Sequence, residues 1–95
     1  MKEPHEIYLD EFLREAKRRS TPSAEGLGHP RELPMNQVDE AEQVAADATA
    51  YHLVDQLRFT PEEPEDVVES FRAAKLDKEK LKHTWTDIIL RRARH

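Results

Sequence analysis

The sequence has no cysteine, which excludes disulfides, thiolate nucleophiles, Cys-ligated zinc and iron–sulfur clusters. Its only two glycines, Gly26 and Gly28, lie in one short stretch. The Gly-rich turns that cradle phosphates in nucleotide enzymes are therefore nearly excluded. No apolar run approaches the roughly 18–20 residues needed to cross a bilayer. The first residues, Met1-Lys2-Glu3-Pro4-His5-Glu6, do not carry the apolar segment of a signal peptide. Excess positive charge is missing too: fifteen Lys and Arg face twenty Asp and Glu, for a formal charge of -5. Phosphate backbones demand concentrated positive charge, so nucleic acid is not the expected partner. These features together describe a small cytoplasmic protein that does not engage membranes.

The chain has 95 residues, of which 37% are charged and 37% hydrophobic. The apolar share falls short of the roughly 45–50% usual for globular domains. One domain of this length buries about 60–65% of the surface exposed when unfolded. The net stability left over is on the order of a few kcal/mol, little surplus for a strained catalytic cleft. We expect a non-enzymatic protein with no cofactor.

Proline and glycine divide the sequence into four periodic blocks and one loop. In the first block, 4–19, Pro4 suits an opening helical turn, where its missing N–H costs nothing. Tyr8, Leu9, Phe12, Leu13 and Ala16 then share one side of a helix. Lys17, Arg18 and Arg19 sit where cations complement the helix dipole. Residues 20–35 contain both glycines and three prolines, which predicts a long irregular loop. Asn36 reads as the N-cap of a second helix over 36–58, rich in alanine and free of Gly and Pro. In that helix Val38, Ala41, Val44, Ala45 and Ala48 share one arc, and Ala50, Tyr51, Leu53, Val54 and Leu57 drift to the opposite one.

Thr60-Pro61-Glu62-Glu63 resembles a capping box and opens a third helix over 62–75. Pro64 would move the regular ladder slightly later. Val67, Val68, Phe71 and Ala74 form its apolar stripe. Asp77 caps a fourth helix over 77–93, with Leu81, Trp85, Ile88 and Ile89 on one side. No period-2 alternation persists and no Asn-Gly or Asp-Gly turn occurs, so no strand is predicted. The expected fold is all-α, a single four-helix domain. Its expected core is Phe12, Leu13, Val44, Ala48, Tyr51, Val54, Phe71, Leu81, Trp85 and Ile88.

Motifs that carry chemistry are scarce. His5, His29, His52, His83 and His95 never pair at i, i+3 or i+4, so no metal ligand set is predicted. Ser20, Ser23 and Ser70 lie outside any nucleophile-elbow context. The densest charge is acidic: Glu62, Glu63, Glu65, Asp66 and Glu69. Such a group suits a helix N-terminus, and it also suits an acidic patch for a basic partner surface. In the loop, Leu27, Leu33 and Met35 are candidate anchors.

The sequence thus reads as an interaction module: a small acidic adaptor, inhibitor or regulatory subunit of the phage or plasmid type. It would occlude or scaffold a larger protein through the acidic group and the loop apolar residues. Its Ala-rich faces would also suit a homodimer. The alternative is a DNA-binding regulator that uses Lys17, Arg18 and Arg19 with Arg91, Arg92 and Arg94, provided the two helix ends converge.

Overall fold

Several helix ends have an identifiable physical cause. In a computed structural model of the chain, residues 2–20 and 34–94 are described. They form α1 (Pro4–Ser20), α2 (Met35–Leu57), α3 (Glu63–Ala73) and α4 (Lys78–Ala93), with no strand among the described residues. The all-α, four-helix expectation holds. The loop predicted for 20–35 lies almost wholly outside the described residues.

At α1 the side chain of Glu6 reaches back to the Glu3 N–H at 2.9 Å, satisfying a free donor of the first turn. Asp77 caps α4 as predicted, accepting from the Lys80 N–H at 3.1 Å. The Asn36 cap is a correction: α2 begins at Met35, directly after Pro34, and no side chain caps it. The extended Pro34 (φ -58, ψ 153) sets the entry instead, and its carbonyl accepts from Gln37 and Val38. Arg58 ends α2 in the left-handed conformation (φ 59), and the Phe59 N–H returns to the Leu53 carbonyl at 3.0 Å. Only half of the predicted capping box forms. Glu63 accepts the Thr60 N–H at 2.9 Å, but the Thr60 hydroxyl turns to the same carboxylate rather than to a helix N–H.

The helices run alternately up and down in a ring. Arg19 at the end of α1 meets Glu40 near the start of α2, and Arg72 at the end of α3 meets Gln43. Trp85 of α4 meets Glu3, and Arg92 meets Glu63. Thus α1 and α3 each pack against both α2 and α4, leaving α2 diagonal to α4.

Two kinds of packing fill the interior. Where α1 and α2 lie together, Ala16, Ala41 and Ala45 are completely buried, and Thr49 donates to the Ala45 carbonyl at 2.7 Å. Small side chains let two helix backbones approach closely. Toward α3 and α4 the core is aromatic. Tyr8 meets Phe71 edge-on at 5.5 Å, Phe71 meets Trp85 at 6.4 Å, and Phe59 stacks on Trp85 at 6.1 Å. Each such pair contributes about 0.5–1.5 kcal/mol beyond the area it buries.

Half of the expected core needs correction. Phe12, Phe71, Leu81, Trp85 and Ile88 are buried, but Leu13, Val44, Tyr51 and Val54 are exposed and Ala48 is only half-buried. The buried stripe of α2 is instead Ala41, Ala45, Thr49 and Leu53, joined by Ala46. Along most of this narrow row the neighbouring helices leave room only for small residues, and the larger Leu53 is accommodated near the end of α2. Tyr51 or Val44 on the inner face would force α1 away and open gaps in the seam.

Candidate protein-binding surface

Turning the small residues of α2 inward sends its larger apolar residues out. Val44, Ala48, Tyr51 and Val54 follow one another at intervals of four or three within about 120° of the helix surface, which makes a ridge on the outward side. Leu57 turns further round toward the buried row. Tyr51 is 72% exposed, Val54 40%, Val44 37% and Leu57 36%. Asp47 and Asp55 flank this ridge, and among the described residues they bond only to the uncharged amides of Gln43 and Gln56. From Met35 to Leu57 the helix carries Asp39, Glu40, Glu42, Asp47 and Asp55 and no Lys or Arg.

A groove between α2 and α3 is lined by Gln43 and Ala46 of α2 and by Glu65, Val68, Glu69 and Arg72 of α3, and Gln43 reaches from it to Asp47 at 3.0 Å. Of the predicted acidic group, Glu62, Glu65, Asp66 and Glu69 are exposed. Glu63 stands apart from them. Hydrogen bonds from the Thr60 backbone and hydroxyl, with the Arg92 guanidinium, hold its carboxyl below the usual range. Arg92 also lies 3.8 Å from the Phe59 ring centroid, a cation–π contact. Beside it a shallow cleft of about 180 Å³ has Phe59, Val67 and Ile88 as its apolar lining, with Asp66 and Arg91 among its polar residues.

The remaining predicted site residues are more scattered. Met35 opens α2 and is 73% exposed, whereas Leu27 and Leu33 lie outside the described residues. The two basic groups do not converge. Arg19 binds Glu15 at 2.8 Å and Glu40 at 2.9 Å beside the start of α2. Arg18 also bonds Glu15, and this hydrogen bond is the largest influence lowering the Glu15 carboxyl pKa. Arg92 lies near Phe59, just past the far end of α2. About thirteen residues of helix, roughly 20 Å, separate Glu40 from Leu53, so no single basic patch joins the two groups. Among the described residues no three His, Asp or Glu side chains gather to hold a metal ion, and no helix is long and apolar enough to cross a membrane.

The α2 ridge is what sequence reasoning missed, because apolar residues on a helix are assigned to the core by default. The complete lack of Lys and Arg in a 23-residue helix was the available signal. No known family, curated protein or solved structure matches the chain.

Proposed function

We propose that this chain is a non-enzymatic protein-interaction module, a small acidic adaptor, inhibitor or regulatory subunit that covers or scaffolds part of a larger protein. The observation that carries this reading is the exposed apolar ridge of α2 beside the exposed carboxylates of α3. Solvated valine and tyrosine side chains aligned on one ridge stabilise a complex by leaving water, at about 25 cal/mol per Å² of apolar area. The carboxylates at Glu62, Glu65, Asp66 and Glu69 add long-range attraction that speeds encounter with a basic surface.

Affinity capture from cells that make the protein tests the reading. A larger protein should be retained in stoichiometric amount by the wild type, and lost when Tyr51 and Val54 are both replaced by Asp. Glu62→Lys with Glu65→Lys should slow association and flatten its salt dependence. Leu27→Ser with Leu33→Ser reports whether the loop contributes anchors. Capture that is indifferent to every one of these changes refutes the reading.

A further inference from the structure

The charge around the α2 ridge specifies the chemistry of what covers it. Resting on the interaction reading above, we infer that the outward face of α2, with the α2–α3 groove beside it, docks a basic amphipathic helix of another protein. The ridge from Val44 to Val54 spans ten helical rises, roughly 15 Å, the length of a helix of about eleven residues. A ridge of i+3 and i+4 spacing is complementary to the grooves between such rows on another helix. The occupant then presents apolar residues at i, i+3 or i+4, and i+7, as helices laid into grooves do.

Both borders of the docking surface are acidic. Asp47 and Asp55 flank the ridge itself, and Glu65 and Glu69 line the groove on the α3 side. Among the described residues Arg72 is the one cation lining that groove, and it already donates to Gln43 at 2.6 Å. An occupant with Lys or Arg beside its apolar stripe meets opposite charge along both borders.

A second copy of this chain fits poorly. Apposing two α2 ridges brings Asp47 and Asp55 of both copies together, a like-charge clash. The helices that carry most of the cations turn Tyr8, Phe12 and Ala16 of α1, and Leu81, Trp85 and Ile88 of α4, into the bundle. They expose Leu13, Ile89 and Leu90, which do not form a stripe at i, i+3 or i+4, and i+7.

The test uses two synthetic peptides of about sixteen residues with the same Leu and Ala stripe, one with Lys at every polar position and the other with Glu. Binding of each to the full chain is followed by fluorescence anisotropy at about 0.15 M salt. The Lys peptide should bind and the Glu peptide should not. Tyr51→Asp with Val54→Asp should weaken the Lys peptide at least about tenfold although it adds two negative charges, because the apolar contact is lost. Ile89→Asp with Leu90→Asp, which adds the same charge on α4, should not weaken it. Circular dichroism verifies the fold, and Tyr51→Ser with Val54→Ser replaces the Asp pair if that pair unfolds.

Equal or tighter binding by the Tyr51/Val54 variant overturns the inference, since charge alone would then explain the attraction. Failure of the Lys peptide to bind also overturns it, as does a dimer in sedimentation that the same variant dissolves. If cellular capture depends on Tyr51 and Val54 while the Lys peptide fails, the interaction reading survives and only the basic-helix partner falls.

Discussion

The indole Nε1 of Trp85 donates to Glu3 Oε2 at 2.9 Å, joining residues 82 positions apart. This bond ties the start of α1 to the middle of α4 and closes the ring of helices. It also satisfies the one polar atom of a ring that is otherwise packed between Phe59 and Phe71. Trp85→Ala should therefore cost about 3–5 kcal/mol in chemical denaturation. Glu3→Gln leaves an acceptor in place and should cost less than about 1 kcal/mol. Equal losses for the two variants would show that the bond, rather than the ring, dominates.

Tyr8 is completely buried, and its hydroxyl finds no hydrogen-bond partner among the described residues. Burial, assisted by the nearby Glu42 charge, pushes its pKa from 10.0 up to about 12. The folded state holds this proton more tightly than the unfolded chain does. Its contribution is fully present below pH 10 and is lost as pH rises toward 12. Tyr8→Phe should abolish this alkaline loss and be neutral or stabilising at pH 7, since no bond is broken. Absorbance titration in a Tyr51→Phe background isolates Tyr8 and checks the shift directly.

Glu42 is half-buried on α2, and burial raises its carboxyl above the usual range, more than the opposing charge of Arg72 lowers it. A raised carboxyl favours folding most below its unfolded pKa, and that contribution disappears as pH climbs through the folded value. Glu42→Gln removes the burden of a desolvated charge. It should raise the melting temperature at neutral pH, with the gain shrinking as the solution is acidified. A gain independent of pH would mean that ionisation is not its source.

Lys75 and Leu76 both have positive φ, 53° and 62°, at the joint between α3 and α4. Side chains with a Cβ are strained there, by about 1–2 kcal/mol in the left-handed region. Lys75 is exposed, so its replacement disturbs little packing. Lys75→Gly should stabilise the protein by up to about 1 kcal/mol, after the greater freedom of glycine in the unfolded chain is subtracted. Thermal unfolding against Lys75→Ala, which keeps the Cβ, separates strain from lost charge.

Adjacent residues on α2 should respond in opposite ways. Ala45 is completely buried where α1 and α2 lie together, so Ala45→Val overpacks the seam and should cost about 1–3 kcal/mol. Val44→Ser, one position away on the exposed side, should stay within about 0.5 kcal/mol of wild type. A reversal of these effects would put the wrong face of α2 inside.

Local signals in the sequence located nearly every helix. Pro4 marks the first turn of α1, Asp77 supplies the cap of α4, and 3.6-residue stripes identify Phe12, Phe71, Leu81, Trp85 and Ile88 as interior. The exposed carboxylates of α3 were legible for the same reason, since charge seldom leaves water. The ion pair between Glu63 and Arg92 was not, because its partners are 29 positions apart and only the α3–α4 pairing brings them together.

What the chain dictates on its own is the all-helical character, the number of helices and, to within a residue or two, where they lie, through periodicity and the placement of proline. What only the assembled bundle decides is which side of α2 faces inward. Apolar residues occur on nearly all sides of that helix, so its pattern permits more than one inner face. The seam with α1 resolves the choice in favour of Ala41, Ala45 and Thr49, because closely approaching backbones leave room only for short side chains. Val44, Tyr51 and Val54 are displaced to the outside by that packing, and the proposed binding surface is its consequence.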